Sequence, residues 1–176
     1  VQQLRLRAQR SEALRRIASL ASSSATLDEV LTFSAQELAH LLRADAALSF
    51  LVDGERTAMR LHAQSLIGAE PEDIEDALAR ILLDDPQFPF TAAGSQHTVS
   101  IKDTRIEQAI IPFYQKIFKH FEVGSAVGVP LLVRNEGVGE LWFFSRQPDS
   151  FDQMEMQSVQ TAAGQIAAVV EQSFLA

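Results

Sequence analysis

Apolar residues recur at helical spacing near both ends of the chain and alternate with polar residues at strand spacing between them. The pattern predicts helices over residues 2–22, from Leu27 to about Arg43, and from Asp152 to about Phe174. A run of serines at 22–24 ends the first helix. A capping box opens the second, because Thr26 and Glu29 stand at the spacing that lets each side chain cap the other's backbone amide.

The middle of the chain predicts two hairpins. Residues 46–52 and 57–63 flank the turn signal Asp53-Gly54, and residues 125–133 and 138–145 flank a turn at 135–137. Helices are predicted over 71–83 and 106–121, and a short strand over 96–101. Pro130 lies inside a predicted strand, which favours a sheet edge or a bulge at that point.

Hairpins without regular alternation of strand and helix predict an α+β fold. We expect an antiparallel sheet of five or six strands with helices on both faces, an α/β sandwich. The first and last helices should pack on one face of the sheet, and the helices between residues 71 and 121 on the other.

Composition narrows the classes of protein to consider. The 176 residues, 47% hydrophobic and 22% charged, fit one globular domain. The absence of cysteine excludes disulfides, thiolate metal sites and cysteine nucleophiles, and the net charge of −8 disfavours nucleic acid as a partner. No apolar run approaches the about 20 residues of a membrane span, and no signal-peptide pattern opens the sequence, so we expect a cytoplasmic location. Since the chain begins with Val1 rather than Met, we expect a fragment of a longer protein.

Two stretches of the chain are rich in charged residues. The first helix carries several arginines, which indicate either a solvated face or a contact with an acidic partner or nucleic acid: Arg5, Arg7, Arg10, Arg15 and Arg16. Residues 70–85 are strongly acidic and contain Arg80 as their one basic residue, which is typical of a solvated surface.

The second hairpin and the last helix together resemble the GAF domain family. Residues 123–133, VGSAVGVPLLV, are similar to the family's V-x-S-x-x-x-V-P-L strand, and residues 137–145, GVGELWFFS, are similar to its G-x-L strand. Arg146 and Phe151 match an Arg-x-x-x-x-Phe stretch, and residues 157–167 match a helix that ends in A-x-Q-I-A. Weaker similarity at 27–31 and 94–103 extends the resemblance over most of the chain.

The resemblance implies a sensory or regulatory module of a larger bacterial signalling protein, such as a two-component system, and not an enzyme. It implies a linker or dimerisation helix over residues 1–24 and a GAF domain over 25–176, whose helix 152–174 can continue as a signalling helix. Two functions stay open. The module either binds an unidentified small molecule and forms a homodimer through its end helices, or it is a ligand-free interaction module that dimerises and holds flanking effector domains in register.

Several activities of the family are disfavoured. Covalent bilin attachment and free methionine sulfoxide reduction need a cysteine, which the chain lacks. The family's cyclic-nucleotide motif begins Asn-Lys, whereas the only asparagine here is Asn135, followed by Glu136. Haem would need one of the histidines His40, His62, His97 and His120, each better explained as a surface or hydrogen-bonded residue. No metal site is predicted, and the sequence identifies no cofactor.

In this family the ligand lies between the sheet and the middle helices, residues 71–121 here, which are rich in aromatic residues. The predicted ligand-binding residues are His97, Arg105, Phe113, Tyr114, Phe118 and Ser145. The alternative is that the aromatic residues simply fill the core.

The last helix has more than one apolar stripe, which favours either a helix enclosed in its own chain or one that also contacts a second copy. The predicted dimer-interface residues are Leu14, Ile17, Ala163, Ala167, Val170 and Phe174, with Val170 on the outward stripe. Gly128 and Gly139 are expected to let helices approach the sheet, and Gly137 to take a positive φ in a turn.

Overall fold

A single antiparallel sheet of six strands organises the molecule, in the order β3-β2-β1-β6-β5-β4. A computed structural model describes residues 1–175, apart from the side chain of Leu175, so the last residue of the predicted domain, Ala176, lies outside the described residues. The strands are β1 Ala46–Val52, β2 Ala58–Leu61, β3 Arg80–Leu82, β4 Val99–Ile101, β5 Ser125–Val133 and β6 Glu136–Ser145. The helices are α1 Gln2–Ala21, α2 Leu27–Leu42, α3 Asp76–Ala79, α4 Ala92–Ser95, α5 Pro112–His120 and α6 Gln153–Leu175. The predicted α+β class and the predicted antiparallel sheet are confirmed.

The two faces of the sheet carry different helices, as predicted. Helices α1, α2 and α6 share one core with residues such as Leu141 and Phe143. Helix α5 shares the other core with Trp142 and Phe144. Successive side chains of a strand point to opposite faces, so neighbouring residues of β6 serve different cores. None of the helices described over residues 1–175 is both long enough and apolar enough to cross a membrane.

The capping box at the start of α2 is confirmed. The amide of Glu29 donates to the Thr26 hydroxyl at 3.2 Å, and the amide of Thr26 donates to the Glu29 carboxylate at 3.3 Å. Helix α6 begins in the same way, with reciprocal bonds of 2.7 and 2.9 Å between Asp152 and Glu155. These bonds satisfy amides that a helix leaves unpaired at its first turn.

The second hairpin turns earlier than predicted. Arg134 and Asn135 take the positive φ values, 51° and 64°, so β6 already begins at Glu136. Gly137 therefore has no positive φ, and the predicted reason for this glycine is wrong. A Cβ at Gly137 would instead collide with the carbonyl oxygen of Ala93, so the glycine allows α4 to approach the sheet.

Gly128 also has a reason different from the predicted one. A Cβ there would collide with the indole ring of Trp142, a residue of the neighbouring strand β6, and not with a helix. At Gly139 the obstacle would be the backbone carbonyl of Phe50, again on a neighbouring strand. The predictions that these two glycines make room for helices are therefore wrong.

Pro130 lies where strand β5 has no partner on one side. Strand β4 pairs with β5 only along residues 126–128, so the missing amide of Pro130 costs no ladder bond there. A bulge follows at once, between Leu131 and Leu132. The expectation of an edge or a bulge is confirmed.

Two of the middle helices differ from their predictions. Residues 71–83 form a 3-10 turn, Pro71–Asp73, then the single turn α3, and then strand β3. Residues 80–82 become a strand because β2 has an open edge, and Ile81 alone of the three faces the core. Helix α5 begins at Pro112 and not at 106, since proline suits the first helical turn, where its missing amide costs nothing.

Candidate functional site

A fully buried carboxylate lies at the centre of the α5 side of the sheet. Glu140 belongs to β6, between β1 and β5, and stands opposite Phe50 and Pro130. Its side chain is 0% exposed. A carboxylate is costly to bury, so its partners decide what this position does.

All the groups that meet the Glu140 carboxylate are neutral donors. The Trp142 indole N–H donates at 2.8 Å, and the Ala93 amide at 2.8 Å. The Tyr114 hydroxyl lies 2.8 and 2.9 Å from the two carboxylate oxygens and accepts a bond of 2.8 Å from the amide of Ala92. We call Glu140, Tyr114, Trp142 and the Ala92 and Ala93 amides the Glu140 cluster. It joins β6, α5 and α4 through one buried network.

Burial dominates the titration of this cluster. Burial raises the pKa of the Glu140 carboxyl above its ordinary value, and the hydrogen bonds from Ala93, Trp142 and Tyr114 lower it in opposition. Burial, followed by the negative charge of Glu140, raises the pKa of the Tyr114 hydroxyl well above its ordinary value. The tyrosine therefore keeps its proton at neutral pH and acts as a donor.

Aromatic rings fill the space around the cluster. Tyr114 and Trp142 meet edge to face at 4.6 Å between ring centroids, and Phe118 lies 5.6 Å from Trp142 and 5.5 Å from Phe144. Phe113 lies 5.9 Å from Phe50. These rings are all buried, so side chains of the chain itself occupy this side of the sheet.

The structure brings together half of the predicted ligand-binding residues. Phe113, Tyr114 and Phe118 lie side by side on α5. His97 is exposed after α4 and bonds to the backbone of Ser95, and Arg105 is exposed and pairs with Asp103 at 2.9 Å. Ser145 ends β6 and bonds to Ser150 at 2.7 Å. The hydrogen bonds of these last three residues go to partners outside the Glu140 cluster.

Sequence reasoning missed Glu140 itself, as well as Trp142 and the α4 amides. One signal was available, because Glu140 is the only charged residue in residues 137–145, a strand whose alternate positions are apolar on both faces. A charge in such a strand must be buried with partners. Helix α4, a single turn capped by Thr91, gave no periodic signal.

A second polar network resembles a catalytic arrangement but is closed to substrate. His62 lies 2.8 Å from the Ser65 hydroxyl and 2.7 Å from the Asp28 carboxylate. Nothing in the sequence indicated that this hydroxyl, histidine and carboxylate lie together. Ser65 is 2% exposed, so an attacking hydroxyl could not reach a substrate. The network instead ties the start of α2 to the turn after β2.

Four of the predicted dimer-interface residues lie inside the chain. Ile17, Ala163, Ala167 and Val170 are all buried in the core shared by α1, α2 and α6. The prediction that Val170 faces outward is wrong, since Val170 is 1% exposed. Leu14 packs partly against this core, and Phe174 is 49% exposed. Helix α6 therefore buries one side against α1, α2 and the sheet, while its other side, with Gly164 and Ala168, is exposed.

The other end of α1 is uncovered. Residues 1–9 are all exposed, and Leu4 and Leu6 are 67% and 39% exposed. A groove of about 1710 Å³ runs between this half of α1, the end of α2 and residues 63–73. We call it the α1 groove. On the opposite side of the sheet, a cleft of about 280 Å³ lies beside Phe113, between Arg80, Asp85 and Lys116.

Comparison with known proteins decides the family. A sequence model described as the GAF domain matches residues 24–171. The chain belongs to the GAF domain family. GAF domains are sensory and regulatory modules of signalling proteins, and the resemblance drawn from the second hairpin and last helix is confirmed. None of the curated proteins matches the sequence.

Solved structures support the same fold. The GAF domain of a phosphoenolpyruvate-protein phosphotransferase from Coxiella burnetii has a TM-score of 0.74 at 18% identity, with 94% of each chain covered. The corresponding GAF domain from Acinetobacter has a TM-score of 0.71 at 20% identity, with 92% of each chain covered. A free methionine-R-sulfoxide reductase from Neisseria meningitidis, solved with its substrate, has a TM-score of 0.70 at 19% identity, covering 93% of this chain and 89% of that one. At these identities the likeness establishes the fold.

Proposed function

We propose that this GAF domain is a dimerisation module of a signalling protein, which joins two copies through α1 and holds flanking effector domains in register. The proposal adopts the ligand-free alternative from the sequence. What favours it over small-molecule sensing is the Glu140 cluster, whose carboxylate and rings occupy the side of the sheet where a ligand was expected.

The observation that carries the proposal is the uncovered half of α1. The first half of α1, residues 2–9, is exposed, and the buried residues of this helix, Ala13 and Ile17, both lie further along it. It also exposes Leu4 and Leu6, which gain free energy when they leave water. A second copy that packs against this segment would cover these apolar side chains.

The whole helix is long enough for such an interface. Twenty residues of α1 span about 30 Å at about 1.5 Å per residue. A stable interface buries about 800 Å² per partner, which two helices of this length and their flanks can provide. Helix α6 holds α1 in place, because Ile17 of α1 and Val170 of α6 belong to the same buried core.

Small-molecule sensing is the second candidate, and one observation favours it. The Glu140 carboxylate is buried without a cationic partner among the described residues, so a ligand that carries an amine would find a complementary charge there. The ligand would have to displace Tyr114 or α4. This requirement places sensing second.

The test compares two pairs of exposed apolar residues. Leu4→Ser with Leu6→Ser should convert a dimer to a monomer in light scattering, while Leu132→Ser with Met154→Ser, also exposed, should leave the dimer intact. Equal behaviour of the two double variants would contradict the proposal. A thermal-shift scan with amines and other metabolites covers the second candidate, because a rise of several degrees with one compound would favour sensing.

A further inference from the structure

We propose that the Glu140 carboxylate is a built-in ligand, which occupies an anion site formed by Tyr114, Trp142 and the Ala93 amide and which a small free carboxylate can replace. The site lies on the α5 side of the sheet, so the inference does not depend on dimerisation through α1. Its regulatory consequence is that the domain holds α4 in place without an external molecule.

The donors of the site match the two oxygens of a carboxylate. The Trp142 indole N–H lies 2.8 Å from Oε1 of Glu140, and the Ala93 amide lies 2.8 Å from Oε2. The Tyr114 hydroxyl is within reach of both oxygens, at 2.8 and 2.9 Å. Each oxygen therefore has an N–H of its own, and the two oxygens share the hydroxyl. Hydrogen bonds to an ionised acceptor of this kind are stronger than bonds between neutral groups.

The charge of this site has no role in an ion pair among the described residues. The groups that bond to Glu140 are all neutral, and its side chain is fully buried. A buried carboxylate costs free energy, and an apolar side chain without donors around it would fill the same space at a lower cost. The charge at this position therefore indicates a role for the anion itself.

Other contacts hold the donors around the carboxylate. The Trp142 ring meets Phe118 edge to face, at 5.6 Å between centroids, and the Tyr114 ring stacks on Phe118 at 6.1 Å. The Thr91 hydroxyl caps the first turn of α4. These contacts do not involve Glu140, so they remain when its side chain is shortened. The donors then surround an empty site.

The anion holds α4 through two backbone amides. The Ala93 amide donates to the carboxylate of Glu140, and the Ala92 amide donates to the Tyr114 hydroxyl, which itself meets the carboxylate. Helix α4 is a single turn, which has too few internal hydrogen bonds to be stable alone. A carboxylate in this place, tethered or free, therefore supplies contacts that keep α4 on the sheet.

The tether explains why the wild type needs no free carboxylate. A ligand that is joined to its site binds intramolecularly, at a high effective concentration. Tyr114, Trp142, Ala92 and Ala93 are all buried, so a free carboxylate enters only when α4 moves. Free carboxylates should therefore compete poorly with Glu140 and should bind once its side chain is shortened.

Replacement of the missing side chain by acetate tests the proposal. Glu140→Ala removes a CH2–COO⁻ unit, which acetate matches atom for atom at neutral pH. Acetate should return the fluorescence of Trp142, the only tryptophan, to that of the wild type in a saturable way. It should also slow hydrogen exchange of the Ala93 amide by about ten-fold or more, because this amide regains a charged acceptor.

The length of the carboxylate provides a second test. Glu140→Gly also removes Cβ, so the matching molecule is propionate. We expect Glu140→Ala to bind acetate more tightly than propionate, and Glu140→Gly to bind propionate more tightly than acetate. A general effect of salt on stability would give the same order in both variants.

Three controls keep the site filled or change a carboxylate elsewhere. The wild type and Glu140→Gln have a side chain in the site and should give no saturable response to acetate. Glu136→Ala removes an exposed carboxylate from the same strand and should behave as the wild type does. Sodium chloride at equal ionic strength corrects each titration for screening.

The outcomes are decisive for the anion site alone. A Glu140→Ala protein that gives no saturable response to acetate, whether circular dichroism shows it folded or unfolded, would overturn the proposal. Equal responses to acetate and chloride, or the same order of acetate and propionate in both variants, would also overturn it. The mass of the wild type in light scattering tests dimerisation separately, so either proposal can fail without the other.

Discussion

The hydroxyl of Tyr114 lies 2.8 Å from the carboxylate of Glu140, and both groups are buried on the α5 side of the sheet. The contact links a helix to the central strand. The same hydroxyl accepts a hydrogen bond from the amide of Ala92, so one oxygen links α5, β6 and α4. The side of the sheet expected to hold a ligand is in this way tied together by the chain's own groups.

Removing that hydroxyl should destabilise the domain. Tyr114→Phe deprives the Glu140 carboxylate of one donor and the Ala92 amide of its acceptor, while the ring keeps its packing. We expect a loss of about 1–3 kcal/mol in the free energy of unfolding, measured by chemical denaturation. The control Phe90→Leu, at a side chain that is 68% exposed, should change stability by less than about 0.5 kcal/mol. Equal losses in the two variants would contradict the role of the hydroxyl.

The pH dependence of the free energy of unfolding should show that the pKa of the Glu140 carboxyl is raised. Burial raises its pKa above the ordinary value of 4.5, so the native state holds a proton that the unfolded chain releases. The corresponding stability is present below pH 4.5 and is lost as pH rises through the raised pKa. The difference in unfolding free energy between wild type and Glu140→Gln should therefore fall as pH rises from 4.5 towards neutrality. A difference that stays constant or grows with pH would show that the pKa is not raised.

Two glycines should respond in opposite ways to alanine. Gly128→Ala drives a methyl group into the Trp142 ring and should cost several kcal/mol. Gly164→Ala meets nothing within 4 Å on the exposed side of α6 and should gain about 0.5–1 kcal/mol from helix propensity. Thermal and chemical unfolding of both variants measures the contrast. A stabilising Gly128→Ala would refute the position of the indole ring.

Two positions two residues apart on α6 should separate folding from association. Val170 is 1% exposed, so Val170→Glu buries a charge without a partner and should unfold the domain, and it should not produce a folded monomer. Ala168→Glu places the same carboxylate on an exposed position and should leave the fold intact. Circular dichroism distinguishes the two outcomes. A folded, monomeric Val170→Glu protein would contradict this account and show that Val170 belongs to a dimer interface.

The strongest sequence signals gave the strongest predictions. The Asp53-Gly54 turn, the Thr26–Glu29 capping box and the long apolar periodicity of α1, α2 and α6 each depend on neighbouring residues, so the local sequence was enough to predict them. The family resemblance rested on the second hairpin and last helix, where local pattern and tertiary structure agree.

Long-range contacts account for what the sequence did not predict. Residues 80–82 are a strand because β2 offers an unpaired edge, which no local pattern reveals. The Glu140 cluster joins α4, α5 and β6, whose sequence separations hid the partners Ala93 and Tyr114 from local analysis. Val170 was placed outward because one helix viewed alone does not show that α1, α2 and the sheet enclose it.

The mass of the wild-type protein in solution tests the central claim most directly. Sedimentation equilibrium from nanomolar to tens of micromolar concentration, at low salt, should show a transition from the 19.4 kDa monomer to a species of twice that mass. The proposed α1-mediated dimer predicts this transition, because the exposed first half of α1 would be covered by a second copy. A single species of 19.4 kDa over the whole range would contradict the account.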